Sequence, residues 1–308
     1  MFGTLLKSLS RRSAGARPAS IDTIRSAAHA RELAELQASA ARASLDQGRS
    51  EEAKQHCLAA LAAHPDTWQA HTILAAIDLP GEDYLAVLRR IHAHLAPRTY
   101  VEIGVSRGDS IRLAAGRTKT IGVDPEPNLA APLGPNQRVF RQTSDAFFAE
   151  HDLRALLDGL PVDLGFIDGM HQFEFALRDF VNLERFCSRE STILVHDCYP
   201  LDAPTAARKR ATVFWSGDIW RLLLALKKHR PDLAIHTVGA QPTGLAVIRN
   251  LDPGSRVLAT GLERICEEFL AVEFEEIAGA KAEKLNLFPN DWERVKTLLG
   301  DPRQAGAA

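Results

Sequence analysis

Residues 99–127 constrain the fold more than any other stretch, because two apolar runs there flank a turn that contains glycine. The first run, Tyr100 to Val105, is rich in β-branched and apolar residues apart from Glu102, and it predicts a strand. Gly104 and Gly108 belong to the turn that follows, where a backbone without Cβ atoms can come close to a ligand. The stretch therefore predicts a strand that leads into a ligand-binding turn.

A helix from Asp109 to Ala115 and a second strand from Thr120 to Val123 are predicted next, and this strand ends at Asp124. An acid at the end of the second strand can accept hydrogen bonds from both hydroxyls of a ribose. The turn reads E-x-G-x-x-x-G, which is one glycine short of a dinucleotide turn that holds a pyrophosphate on a helix N-terminus. The acid on the first strand favours a cationic ligand over a diphosphate.

At these residues the chain resembles the class I S-adenosylmethionine-dependent methyltransferases, whose first strand carries this acid and glycine pattern and whose second ends in a ribose-binding acid. The resemblance implies S-adenosylmethionine as cofactor. It implies that Gly104 and Gly108 fit its methionine end, that Glu102 lies beneath that end, and that Asp124 fixes the ribose. A glycine turn of a parallel α/β domain without this ligand is the alternative.

The order of predicted strands and helices supports an α/β fold. Five strands come first, most of them followed by a helix, and two strands then follow each other as a hairpin. This is the seven-stranded, mostly parallel, doubly wound sheet of the Rossmann-like methyltransferases. An NAD-linked oxidoreductase would more often continue with a further βαβ half, so it is the less favoured class. The predicted strands are 100–105, 120–123, 138–142, 162–167, 191–195, 233–238 and 245–248.

Polar side chains follow four successive strands, at the edge where an open parallel sheet binds its ligands. Each of these strand ends from the second to the fifth holds an acid, and the last two add a histidine. The residues are Asp124, Ser144, Asp145, Asp168, His171, His196 and Asp197. Ser144 and Asp145 are expected to face the adenine of the cofactor. The alternative is that they cap the helix predicted from Ala146 to Leu157.

The stretches FIDGMHQFEFALRDF and ILVHDCYP narrow the resemblance to methyltransferases whose fourth strand ends in I-D-G-x-H and whose fifth ends in H-D. With GDIWRLL and PTGLAVI it covers residues 99–251. It implies O-methylation of a sugar or another small polyhydroxylated molecule. It also implies that Asp168 lies beside the cofactor and that Asp168 and Asp197 hold Mg²⁺, which prefers oxygen ligands. It further implies that His171 or His196 accepts the proton of the substrate hydroxyl.

His196 departs from the pattern, because metal-using relatives often carry a second acid or amide at this place. Histidine is a less typical ligand of magnesium. Two alternatives therefore stay open at this strand end, a metal site and a structural pair of His196 and Asp197. The loop from Asp202 to Ser216 is long for a compact domain, which indicates a lid. Its basic run, residues 208–210, is interpreted either as a contact to an anionic substrate or as a solvated loop.

The chain divides into five predicted regions. A disordered basic arm (1–20) precedes a helical region (21–96) whose spacing loosely resembles tetratricopeptide repeats. The S-adenosylmethionine-binding domain (97–251) follows, and then come C-terminal helices that pack on it (252–300) and a tail (301–308). The N-terminal helices are expected to offer a surface for a protein partner or for self-association. An inactive methyltransferase-fold scaffold is the second functional alternative.

Composition excludes several classes of function. A net charge of −2 gives no general attraction to nucleic acid or to an anionic membrane. The four cysteines include no C-x-x-C pair, which argues against a zinc site or a disulfide framework. No apolar run approaches the ~20 residues that span a bilayer. These features predict a cytoplasmic protein with no nucleic-acid partner and no membrane span, and the resemblance implies that its partner is a small molecule with a hydroxyl group.

Overall fold

A mostly parallel sheet runs through the part of the chain that this computed structural model describes, residues 21–299, with side chains from residue 25 onward. Along the sheet the strands lie in the order β3-β2-β1-β4-β5-β7-β6-β8, and among them only β7 is antiparallel to its neighbours. In chain order they are β1 (Thr99–Ile103), β2 (Lys119–Val123), β3 (Gln137–Phe140), β4 (Val162–Ile167), β5 (Cys187–His196), β6 (Ala234–Val238), β7 (Leu245–Arg249) and β8 (Leu287–Phe288).

Helices precede, cover and follow this sheet. They are α1 (Ile21–Asp46), α2 (Ser50–Ala63), α3 (Trp68–Asp78), α4 (Tyr84–Leu95), α5 (Ser144–Glu150), α6 (Leu153–Leu156), α7 (Phe173–Glu184), α8 (Ala203–Ala206), α9 (Trp220–His229), α10 (Val257–Thr260), α11 (Leu262–Leu270), α12 (Glu275–Ala278), α13 (Lys281–Lys284) and α14 (Trp292–Leu299). Within residues 21–299, no helix is both long and apolar enough to cross a membrane. The predicted arm (1–20) and tail (301–308) lie outside the described residues.

The predicted fold class is confirmed, with one strand more than expected. The additional strand, β8, pairs in parallel with β6 over two residues, and two residues are too short for a recognisable period-2 pattern. β4 has the predicted bounds. β5 is longer than predicted, because residues 187–190 continue the strand before the apolar run begins.

Two predicted helices differ from the structure. The helix expected from Asp109 to Ala115 is a single 3₁₀ turn, Ile111–Leu113. The Arg112 guanidinium donates to the carbonyl oxygens of Arg107 and Gly108, so this side chain caps the turn before it. The helix expected from residue 146 to 157 is divided into α5 and α6. Asp152 starts the second, where its carboxylate accepts from the Arg154 amide at 3.0 Å.

The two faces of the sheet carry separate apolar clusters, as the alternation of side chains along a strand requires. In β1, Val101 and Ile103 pack in the cluster that also contains α7 and α9. Tyr100 packs on the opposite face, with α4 and α14. Tyr84, the first residue of α4, stacks on His196, so the N-terminus of this helix lies at the edge of the sheet where β5 ends.

A third apolar cluster joins α1, α2 and α3, and it includes two residues from the segment after β5, Leu201 and Phe214. The helices α1 to α3 are therefore packed against that segment. The likeness to tetratricopeptide repeats remains a prediction.

Candidate active site

Gly104 brings the end of β1 into contact with the end of β4. Its φ is +88°, and a Cβ atom there would lie 2.0 Å from the carbonyl oxygen of Asp168. The Asp168 amide in turn donates to the Ile103 carbonyl at 2.8 Å. Gly104 is thus required by the packing of two backbones as well as by the left-handed φ.

Asp124 holds the turn that follows β1. Its Oδ2 accepts from the amides of Val105 at 2.9 Å and Ser106 at 2.8 Å, and its Oδ1 accepts from the Glu126 amide at 2.8 Å. A carboxylate has about four acceptor sites, so Oδ1 retains one for a ligand hydroxyl. The acid expected to fix a ribose therefore also fixes the shape of the glycine turn.

Glu102 is completely buried beneath this turn. Its two oxygens accept from the hydroxyls of Tyr100 and Ser110, each at 2.6 Å. Burial opposes the charged form more strongly than these two hydrogen bonds favour it, and it raises the pKa of Glu102 to about 8. Its predicted role at the methionine end would therefore be exerted through Ser110 and the turn.

Ser144 and Asp145 begin α5, but neither of them caps it. The cap is Thr143, whose hydroxyl accepts from the Ala146 amide at 3.3 Å. The capping alternative is therefore wrong for both residues. The Asp145 carboxylate is bound by Arg178, at 3.0 Å from Nε to Oδ1 and 2.8 Å from Nη2 to Oδ2. Contact of Ser144 and Asp145 with an adenine remains a prediction.

Three residues from the ends of β4 and β5 form a cluster of possible metal ligands. Asp168, His171 and Asp197 each offer one ligand atom, and these atoms all lie within 4.8 Å of one another. Nδ1 of His171 lies 3.1 Å from Oδ2 of Asp197, and its Nε2 lies 3.7 Å from Oδ1 of Asp168. The buried Nδ1 atom of His171 makes no hydrogen bond in the described structure. The predicted strand-end residues are thus brought together.

His196 lies behind this cluster and faces both carboxylates. Its Nδ1 is 3.2 Å from Oδ1 of Asp168 and 3.4 Å from Oδ2 of Asp197. Burial opposes the imidazolium, but Asp197 and Asp168 outweigh it and raise the pKa of His196 to about 10. Burial likewise opposes the Asp197 carboxylate, and His196 and His171 lower its pKa to about 2. The two residues are an ion pair in this arrangement.

Residues 101–198, which contain this cluster and the glycine turn, match a family described as a methyltransferase domain. This segment is a methyltransferase domain. No curated protein matches the sequence. Because the family match spans β1 to β5, the cluster at the ends of β4 and β5 belongs to the methyltransferase domain itself.

Several solved structures are similar to this chain at low identity. The cofactor-bound protein Rv0187 from MTB is 19% identical, with 63% of this chain and 89% of that chain covered and a TM-score of 0.43. An O-methyltransferase from Bacillus cereus in complex with SAH is 15% identical, covering 57% and 86%, with a TM-score of 0.37. TomG from Streptomyces achromogenes, in complex with SAM, is 14% identical, covering 55% and 79%, with a TM-score of 0.39.

Three residues that the sequence prediction missed complete the site of the methyltransferase domain. Tyr84, the first residue of α4, stacks on His196 with ring centroids 3.9 Å apart. The Thr243 hydroxyl donates to Oδ1 of Asp197 at 2.5 Å. Thr243 could have been found from the sequence, because the predicted hairpin brings the PTGLAVI stretch next to the end of β5. Tyr84 lies in the helical region, where no local signal pointed to the site.

The third is Asp179, on the face of α7 that points to the same cavity. It is 3% exposed, and its Oδ1 has no hydrogen-bond partner in the described structure. Burial raises the pKa of Asp179 to about 7. In the sequence this buried acid was visible only as one more charge of an amphipathic helix.

Two residues of the basic run in the long loop, Arg208 and Arg210, are bound to groups of the loop and its neighbours. Arg208 binds Glu174, and its Nη1 lies 3.3 Å from Oδ2 of Asp218. Arg210 donates to the carbonyl oxygens of Thr212 and Val213. These partners make the two arginines structural, so an anionic substrate would have to be bound by other groups.

Proposed function

We propose that the protein is an S-adenosylmethionine-dependent O-methyltransferase that acts on a hydroxyl of a sugar or another small polyhydroxylated molecule. The observation that carries the proposal is the cluster of Asp168, His171 and Asp197 at the carboxyl edge of a methyltransferase domain. Carboxylates and an imidazole at one point suit the deprotonation of a hydroxyl. This feature argues against the inactive scaffold.

The cofactor would lie along the ends of β1, β2 and β3. Asp124 has a free acceptor site on Oδ1 for a ribose hydroxyl, and the turn held by its Oδ2 would receive the methionine end. The B. cereus and S. achromogenes structures are complexes with SAH and SAM, which agrees with this choice of cofactor.

Asp168 and Asp197 would hold a divalent cation. The fit rests on their oxygens, which converge with a nitrogen of His171 within 4.8 Å. Two carboxylates suit Mg²⁺ or Mn²⁺. When bound, such an ion polarises an acceptor oxygen and lowers the pKa of its hydroxyl.

The residues of the chain would then position the acceptor and remove its proton. The His171 side chain is 27% exposed and the His196 side chain 7%, so an acceptor reaches His171 first. His171 would accept the proton of the acceptor hydroxyl, and S-adenosylmethionine, when bound, would supply the methyl group to the acceptor oxygen, with cleavage of its sulfur–methyl bond and S-adenosylhomocysteine as the leaving group. His196, paired with Asp197 and covered by Tyr84, orients the carboxylates. Alignment and the exclusion of water would account for most of the rate.

Isothermal titration with S-adenosylmethionine tests the cofactor, with Asp124→Ala as the variant. We expect binding by the wild type and a loss of at least tenfold in Asp124→Ala. Wild-type affinity in that variant would reject the ribose role. Formation of S-adenosylhomocysteine with a panel of methyl hexopyranosides and catechol, with and without EDTA, tests the acceptor class and the cation. Full turnover in EDTA, together with unimpaired Asp168→Asn, would reject the cation.

A further inference from the structure

The segment between β5 and α9 contacts both the N-terminal helices and the candidate active site. We call residues 201–217 the strap. Phe214 of the strap is 3% exposed and belongs to the apolar cluster of α1, α2 and α3. Its ring stacks on His71 with centroids 5.1 Å apart and lies 5.3 Å from the ring of Trp68. Both partners are on α3, so this helix holds one side of the strap.

Two polar contacts reinforce this attachment. The Val213 amide donates to Oδ1 of Asp66 at 2.5 Å, in the short connection between α2 and α3. Nε2 of His71 lies 3.4 Å from Oδ2 of Asp202, which also caps α8 through the Thr205 amide. The strap is therefore held by α3 near its beginning and again near its end.

The opposite side of the strap covers His171. Trp215 stacks on the imidazole, with ring centroids 5.4 Å apart and an angle of 19° between the planes. Its indole N–H donates to the Ala207 carbonyl at 2.6 Å, which fixes the ring. At Gly217 a Cβ atom would lie 1.9 Å from the His171 carbonyl oxygen, and the Asp218 amide donates to that oxygen at 3.2 Å. The ring and the backbone of His171 both contact this end of the strap.

Phe214 and Trp215 are neighbours whose rings contact different parts of the molecule. A displacement of Phe214 from the α3 surface therefore moves Trp215 on His171. We propose that helices α1 to α3 position His171 for the reaction. Phe214 anchors the strap on α3, and Trp215 contacts the His171 ring. The proposal rests on the function proposed above, since it assigns the helices a role in the acceptor half of that site.

Nuclear magnetic resonance of histidine-labelled protein tests the contact without acceptor or cofactor. The His171 signals are assigned with His171→Asn. A stacked indole shifts the imidazole signals through its ring current, so we expect Trp215→Leu to remove this shift. Phe214→Leu keeps an apolar side chain in the cluster but loses the ring contacts, and we expect it to move the same signals in the same direction. Trp292→Leu is the matched control, because Trp292 contacts Arg90 and His94 instead.

Turnover provides the second measurement. We expect Phe214→Leu to lower kcat by on the order of tenfold, because a small misplacement of a reacting group is costly, while the affinity for S-adenosylhomocysteine stays unchanged. Trp215→Phe, which keeps an aromatic ring, should restore part of the loss in Trp215→Leu. If Phe214→Leu does not fold, Asp66→Ala removes an exposed contact of the strap and should shift the His171 signals less strongly.

Unchanged His171 signals in a folded Phe214→Leu or Asp66→Ala protein would overturn the proposal. A shift of the His171 signals in Phe214→Leu with unchanged turnover would also overturn the proposal. The reaction would then not depend on the position that the strap gives His171. Failure of the wild type to bind S-adenosylhomocysteine would instead reject the proposed function, and the resonance experiment distinguishes the two.

Discussion

His171 and Asp197 face each other from two left-handed backbone positions, with φ of +55° and +57° and with Nδ1 and Oδ2 3.1 Å apart. Neither residue is glycine, and such positions cost on the order of 1–3 kcal/mol each unless the surroundings impose them. His171 and Asp197 are two of the seven non-glycine residues with positive φ in the described structure, and they are the ones that bring an imidazole and a carboxylate together. This coincidence supports a functional role for the pair.

Replacement of His171 by asparagine tests that role. Asparagine tolerates a left-handed φ better than most residues, so we expect the fold and the affinity for S-adenosylhomocysteine to be retained. Loss of the proton acceptor should lower methyl transfer by at least about 100-fold. The rate of methyl transfer is measured as S-adenosylhomocysteine formation with the best acceptor of the panel. His236→Asn, a half-buried histidine of β6, is the control, and equal rates in both variants would contradict the assignment.

Replacement of Asp197 by asparagine tests the cation. The change keeps the shape of the side chain but removes the charge that faces His171 and His196. We expect the affinity for Mn²⁺, measured by isothermal titration, to fall at least tenfold, with the affinity for S-adenosylhomocysteine within about twofold of the wild type. Asp46→Asn, on the exposed surface of α1, should change neither. Unchanged Mn²⁺ binding in Asp197→Asn would remove this residue from the site.

Alanine at two glycines separates backbone strain from steric contact. Gly104 and Gly159 have φ of +88° and +82°, but only Gly104 has the Asp168 carbonyl 2.0 Å from the site of a Cβ atom. We expect Gly159→Ala to lower the free energy of unfolding by about 1–2 kcal/mol, from the left-handed φ alone. Gly104→Ala should lower the free energy of unfolding by several kcal/mol more than Gly159→Ala does. Urea unfolding followed by circular dichroism measures both, and equal losses would mean that β1 and β4 can separate freely.

The sequence predicted the part of the site that depends on strand order. Asp168, His171 and Asp197 follow two strands with clear apolar patterns, and the parallel sheet then places them at one edge. Tyr84 could not be found in this way, because its contact with His196 depends on how α4 crosses the sheet. The prediction of a helix after Gly108 was wrong for a local reason. Arg112 binds carbonyl oxygens of the preceding turn, and the helix ends after one turn.

The buried Glu102 predicts how stability depends on pH. Burial disfavours the charge and raises the pKa of Glu102 to about 8 in the folded protein, from 4.5 for an exposed glutamate. Between these two pH values the folded state holds a proton that the unfolded chain has released. The free energy of unfolding therefore falls as the pH rises from about 4.5 to about 8, by roughly 1.4 kcal/mol for each unit of pKa difference.

Glutamine in place of Glu102 should remove this dependence, because its amide stays neutral and can still pair with Tyr100 and Ser110. We expect urea unfolding at pH 6 and pH 9 to give a smaller difference in Glu102→Gln than in the wild type. The remaining difference should come from Asp179 and His196, whose raised pKa values act in the same direction. Glu293→Gln, an exposed residue of α14, should leave the wild-type difference intact. An equal pH dependence in Glu102→Gln would mean that the buried carboxyl is already ionised at pH 6.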